Sequence, residues 1–128
     1  MKPSDVSIAL LTERLGILEA EHAVRKTMQR YMTLCDVPSN VFDQHKLASL
    51  FHTDAIWEGI GQQYTHRYGC LKGREHIISM LVQYLPPALH FDINVHFLSS
   101  ECIQVENGQA TGHWLLLQVS GMSIHVQS

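Results

Sequence analysis

The apolar residues at the start of the chain recur at three- and four-residue steps. Ile8, Leu11, Leu15 and Leu18 form one stripe, which predicts a helix with Ser4 or Asp5 placed to cap it. The pattern resumes after Gly16 with Val24, Met28 and Met32. Pro38-Ser39-Asn40 closes it, because proline restricts the residue before it and carries no N–H. Asn40 is then placed to cap a short helix through Leu47, Leu50 and Phe51. Asp54-Ala55-Ile56-Trp57-Glu58-Gly59 reads as a first strand, and residues 61–69, rich in Gln, Tyr and His, read as an irregular connection. Gly73 opens another helix whose buried stripe is Ile77, Met80, Leu81 and Tyr84, and Pro86-Pro87 stops it.

From Leu89 onward the period changes to two. His90, Asp92, Asn94 and His96 alternate with Phe91, Ile93, Val95 and Phe97, so a strand here has one polar, ionisable face and one apolar face. Asn107-Gly108 predicts a hairpin, since both central positions of a type I′ turn require φ > 0, and residues 109–119 should return antiparallel. Helices followed by a long hairpin give an α+β class, with helices packed on a curved, mainly antiparallel sheet. The apolar side of residues 91–97 needs a cover, supplied either by the chain's own helices or by a second subunit in a homo-oligomer, a dimer or higher.

Composition changes this picture only by exclusion. At 128 residues, with no repeat and no low-complexity tract, one domain spanning residues 1–128 is expected. With 9 Lys+Arg against 12 Asp+Glu there is no basic field for a phosphate backbone, so neither nucleic acid nor a membrane surface is an expected partner. The apolar stretch after Met1-Lys2-Pro3-Ser4-Asp5 is broken by Thr12, Glu13 and Arg14, too short and too polar for a signal or a membrane span. Cys35, Cys70 and Cys102 are an odd number without a C-x-x-C pair, which points to reduced thiols in a cytoplasm. Nine histidines show no H-E-x-x-H and no zinc-type pairing, so no metal is expected, and His22, His45, His66 and His125 read as surface residues.

Four segments, in their order and separation, carry a family resemblance. They are Leu18-Glu19 leading to Tyr31 and Asp36, Leu50-Phe51-His52-Thr53-Asp54-Ala55 entering the first strand, Leu71-Lys72-Gly73, and His90-Phe91-Asp92-Ile93-Asn94 opening the long strand. Together they resemble the SnoaL-like branch of the nuclear transport factor 2-like, cystatin-like superfamily, and most nearly its dehydratase and dehydrochlorinase group. The resemblance implies a cone-shaped fold around one apolar pocket and a dyad of Asp36 and His90. It also implies a catalytic tyrosine at Tyr31, a cavity-wall tryptophan at Trp57 and a supporting histidine at His113. Met32, Leu81, Leu85, Trp114 and Leu116 are candidates for the rest of the wall, with Asn94 on the polar face beside them. Relatives usually run through two further strands beyond Val119, whereas residues 122–128 supply at most one. The expectation is then an incomplete cone, an edge left unpaired, or completion by a partner chain.

On this resemblance the expected activity is that of a cofactor-independent lyase or isomerase acting on a small hydrophobic cyclic molecule. A neutral His90 takes a proton from carbon, Asp36 fixes its tautomer, and Tyr31 protonates a leaving hydroxyl or holds an oxyanion. The alternative reading is a non-catalytic small-molecule-binding or assembly protein of the same fold, in which Asp36 and His90 are a buried polar pair that satisfies itself. Tyr31 and Asp36 are five residues apart, about 140° around a regular helix, so the two converge only if the helix loosens near Cys35. A one-residue slip of register would turn His113 to the other face of its strand.

Overall fold

The structure, a computed structural model, describes residues 2–123. The chain divides into two compact units, one of Met1–Arg30 with Phe97–Leu117 and one of Tyr31–His96 with Gln118–Ser128. The expected tail strand at residues 122–128 falls largely on residues 124–128, outside the described residues.

Helix α1 runs unbroken over Pro3–Cys35, with Gly16 inside it. Pro3 opens it, so Ser4 and Asp5 lie in the first turn rather than at the cap, and the N–H groups of Asp5 and Val6 reach back to the Lys2 carbonyl. Up to Arg30 the helix belongs to the first unit, where half-buried Ala20, Val24 and Met28 mark its packed side. The Arg25 guanidinium donates to the Glu101 carboxylate at 2.8 Å, and this contact holds Glu101 below the usual carboxylate range.

The hydrophobic core of the second unit gathers Leu34, Cys35, Val37, Leu47, Ile78 and Leu85, with Tyr31, Phe51, Leu81 and Phe91 packed on it. Leu47 and Ile77 are fully buried. Helix α2, Gln44–Ser49, is capped by Asp43, whose carboxylate accepts from the His45 and Lys46 N–H groups at 2.8 and 3.2 Å. The cap expected at Asn40 therefore sits three residues later. Only a residue directly before the first helical turn reaches its free N–H groups.

Strand β1, Ile56–Glu58, pairs antiparallel with β2, Cys70–Lys72, so that Trp57 lies opposite Leu71. Residues 61–69, expected to be irregular, hold a helix, α3, at Gln62–Tyr68. Its bounds are set by backbone rather than by apolar period: Gly61 and Gly69 take φ of 97° and 64°, and the Gly69 N–H returns to the Thr65 carbonyl at 3.0 Å. Helix α4, Arg74–Leu81, begins at Gly73 as expected and packs on α2, β1 and β2. It tightens into a 3-10 turn at Val82–Tyr84 before Pro86-Pro87.

Strands β3, Ile93–Glu106, and β4, Gln109–Gly121, form the long hairpin. Asn107 and Gly108 both have positive φ, 51° and 74°, as the type I′ turn demands. Ser100 also has φ of 51°, and the alternation of β3 reverses there: Asn94, His96 and Leu98, with half-buried Val95 among them, are the shielded positions before it, Ile103 and Val105 after it. One extra residue in a bulge has this consequence. Before the bulge both faces are partly shielded, Asn94 and His96 on the polar one and Phe91 and Val95 on the apolar one, while Asp92, Ile93 and Phe97 lie open. Mixed helices with antiparallel strands agree with the α+β class expected from the sequence.

Candidate active site

The site is built where α1 ends. At Cys35 the helix stops, and the Asp36 N–H turns back to the Thr33 carbonyl at 3.4 Å, so the direction of Asp36 is no longer set by 100° per residue. The next residue, Val37, forms an isolated antiparallel bridge with Asn94, with N–H to carbonyl distances of 2.8 and 2.7 Å in the two directions. In an antiparallel bridge, residues before Val37 run alongside residues after Asn94. The register sets Asp36 opposite Val95, and its carboxylate reaches the neighbouring His96.

Asp36 Oδ1 accepts both from the His96 backbone N–H, at 2.9 Å, and from His96 Nδ1, at 2.8 Å. An ionised carboxylate only accepts, so in the neutral ring Nδ1 carries the proton and Nε2 carries the free lone pair. The His96 side chain is 10% exposed and that of Asp36 28%, which shields the pair from bulk water on the histidine side.

His90, expected to partner Asp36, does not. It lies in the connection before β3, exposed, with its ring edge-on to Tyr84 at 4.8 Å and to Phe91 at 4.5 Å. The bridge explains the difference. Phe91 packs onto the core and β3 begins only at Ile93, so His90 stays outside the paired region. It stands six residues before His96, a span of roughly 20 Å in extended chain.

Asn94, 4% exposed, lies on the same strand face as His96 and its carboxamide oxygen accepts from Gln118 Nε2 at 2.6 Å and Ser120 Oγ at 2.7 Å. The side chain thus joins β3 to β4, while its backbone joins β3 to the end of α1. Tyr31 sits on the last turn of α1, packed edge-on against Phe51 at 5.6 Å, and the Trp57 indole N–H donates to its hydroxyl. Burial raises the Tyr31 phenol above its ordinary value, the nearby Cys35 thiol adds to this, and the Trp57 hydrogen bond opposes it. Its proton remains in place through neutral pH. The Cys35 thiol is pushed up to about 12, first by burial and then by the Asp36 carboxylate.

The other wall candidates separate. Met32 is buried, and Leu81 and Leu85 belong to the hydrophobic core around α4. Trp114, in the first unit, folds its ring over Gly112 and donates from Nε1 to Glu101 at 3.2 Å. Leu116 is half exposed. His113 is exposed on β4 between half-buried Gly112 and Trp114, so alternation turns it to the other face. Gln118 and Ser120, absent from the sequence expectations, reach Asn94 because alternation places them on one face of β4. Among the described residues no three His, Cys, Asp or Glu side chains converge as metal ligands. No helix among them is long and apolar enough to cross a membrane.

The chain has the fold of a known structure. A crystal structure at 1.50 Å of a protein from Novosphingobium aromaticivorans, provisionally named a scytalone dehydratase, superposes with a TM-score of 0.64 at 18% identity. The match covers 86% of this chain and 66% of that one. No curated protein matches the sequence. Residues 16–123 match the model of the SnoaL-like domain, and this chain belongs to that family.

Proposed function

We propose that this chain, acting as one SnoaL-like domain, is a cofactor-independent lyase or isomerase of the dehydratase type. Its substrate class is a small hydrophobic cyclic molecule. His96 is the base, in place of His90. Its Nε2 takes a proton from a carbon beside a carbonyl. The C–H electron pair becomes the new double bond, and a β-hydroxyl leaves with a proton as water, or the proton returns elsewhere in an isomerisation. Asp36 holds the tautomer and stabilises the imidazolium that forms. Tyr31, whose oxygen already accepts from Trp57, keeps its own proton for donation to the leaving or carbonyl oxygen.

One observation carries the reading: the 2.8 Å contact between Asp36 Oδ1 and His96 Nδ1, which leaves Nε2 as a free base. The name borne by the structural neighbour favours dehydration within the lyase class. A second reading, a non-catalytic ligand-binding or assembly protein, is favoured by Leu81 and Leu85, which serve the core instead of an open wall.

The test is deuterium exchange at carbon in a panel of cyclic β-hydroxy ketones, followed by NMR. This reads proton abstraction before the leaving group is known. For a substrate that exchanges, His96→Ala is expected to lower the rate by roughly 10²–10⁴-fold, with His90→Ala unchanged. Loss on His90→Ala with His96→Ala fully active refutes the assignment. No exchange with any panel member favours the binding reading.

A further inference from the structure

We propose that the N-terminal half of α1 is a docking surface for a second copy of this chain, joined as a parallel pair of helices. The first unit shields α1 only from Ala20 onward. Ala20, Val24 and Met28, half-buried, and Gly16 and Ile17, which with Val105–Gly108 line an open cleft, mark the side facing the hairpin. At about 100° per residue, Ile8, Leu11, Leu15 and Leu18 lie roughly opposite, on the far side of the helix from that contact. These four are 62%, 64%, 56% and 61% exposed. A helix with one apolar stripe needs one partner. On the N-terminal half of this helix the stripe has no partner in its unit, and Val6, Leu10 and Ile17 on the other side are 43%, 55% and 39% exposed as well.

The spacing of the second stripe, three then four then three, is that of a helix–helix seam, with Ile8 and Leu15 at a positions and Leu11 and Leu18 at d positions. The seam is bounded. The next two positions on it are His22 and Arg25, and Arg25 is already held by Glu101. It therefore ends where the helix begins to be packed by its own unit.

Charge selects both the occupant and the orientation. Arg14 occupies the g position and Glu19 the following e position. In a parallel, in-register pair each Arg14 faces Glu19 of the second copy, giving two opposite-charge contacts by symmetry. In an antiparallel pair, g faces g, and Arg14 approaches its own equivalent. The surface is thus complementary to itself in one arrangement and repelled in the other. A β-branched residue at the first a position with leucine at both d positions also suits a two-stranded parallel pair. Four apolar side chains per helix fall toward the small end of the roughly 1,200–2,000 Å² of a stable interface, so exchange between monomer and dimer is expected near micromolar concentrations.

The experiment is sedimentation equilibrium on the whole chain from about 1 to 200 µM, a range spanning that weak-dimer regime. The monomer mass is 14.5 kDa, and the proposal requires a rise toward twice that value. Leu15→Asp is expected to hold the mass at monomer with unchanged helical circular dichroism. Arg14→Glu weakens association at low salt, and the exchanged pair Arg14→Glu/Glu19→Arg restores it. Orientation is read with Leu11→Cys in a Cys70→Ser/Cys102→Ser background. Parallel d positions face each other and cross-link on mild oxidation, whereas an antiparallel pair sets residue 11 near residue 15 of the other copy. A monomer throughout the range overturns the proposal, and so does a dimer that survives Leu15→Asp, which would place the interface elsewhere. A dimer in which residue 11 fails to cross-link overturns the parallel arrangement.

Discussion

The neutral ring of His96 is expected to carry its proton on Nδ1. The structural cause is the single oxygen Asp36 Oδ1, 2.8 Å from Nδ1 and 2.9 Å from the backbone N–H of the same residue. A hydrogen bond to a charged group contributes about 1.5–3 kcal/mol, which corresponds to a bias of roughly 10- to 150-fold between tautomers. Because the Asp36 side chain retains 28% exposure, solvent competes for it and the lower half of that range is expected. The assay is two-dimensional nitrogen–proton NMR of the imidazoles at a pH where the ring is neutral, in wild type, Asp36→Asn and Asp36→Ala. Asp36→Ala removes the bias and also deprives the His96 N–H of its acceptor, costing about 1–3 kcal/mol in urea unfolding. Asp36→Asn keeps a neutral acceptor, so most of the stability survives while the tautomer bias falls. A wild-type His96 found mainly as the Nε2–H tautomer refutes the argument, as does a ratio unchanged by Asp36→Ala. In either case Nε2 is not the prepared base.

Three further outcomes follow from other parts of the molecule. With its thiol pushed up to about 12, buried Cys35 is about one part in ten thousand thiolate at pH 8. Alkylation mapped by mass spectrometry should therefore mark exposed Cys70 and Cys102 and spare Cys35 until the chain unfolds. A Cβ at position 112 would enter the ring of Trp114, so Gly112→Ala should swing the indole away from Glu101 and shift tryptophan emission. Because that ring is half-buried and free to move outward, the loss of stability should stay below the ~1–3 kcal/mol typical of an overfilled core. The Asp43 carboxyl is held below its ordinary 3.8 chiefly by the Lys46 N–H it caps. Its contribution is therefore complete above that value and is lost as pH falls through the lower folded value. Acid unfolding followed by circular dichroism should begin at lower pH in Asp43→Asn, since asparagine still caps the helix but does not titrate.

Periodicity was enough for the elements whose partners are local. The run of apolar residues in α1, the Gly73 start of α4 and the Asn107-Gly108 turn each depend on a few neighbouring residues, and each is found where the sequence puts it. The α+β class and the SnoaL-like family follow from the order of these elements. Helix α3 escaped because its bounds are two glycine conformations, which leave no apolar period to read. The cap of α2 moved from Asn40 to Asp43 because capping depends on one residue of register, which the period leaves open.

The site divides along the same line. Asp36 after a helix and a histidine on one face of the long strand were legible in the sequence. Alternation placed His90, Asp92, Asn94 and His96 on that face without ranking them. The choice of His96 comes from the Val37–Asn94 bridge, a pairing between residues 57 positions apart by their numbers. Its register is fixed by core packing around Phe91 and Leu85 and by the hydrogen bonds from Gln118 and Ser120. Likewise Asn94 and His96 are shielded on the strand's polar face, where they find hydrogen-bond partners, and the bulge at Ser100 then reverses the alternation. Local sequence determines what an element is and which residues share its faces, because those depend on backbone geometry alone. Which face is covered, and which of several equivalent histidines meets the carboxylate, depends on contacts between distant segments, and only the tertiary structure decides them.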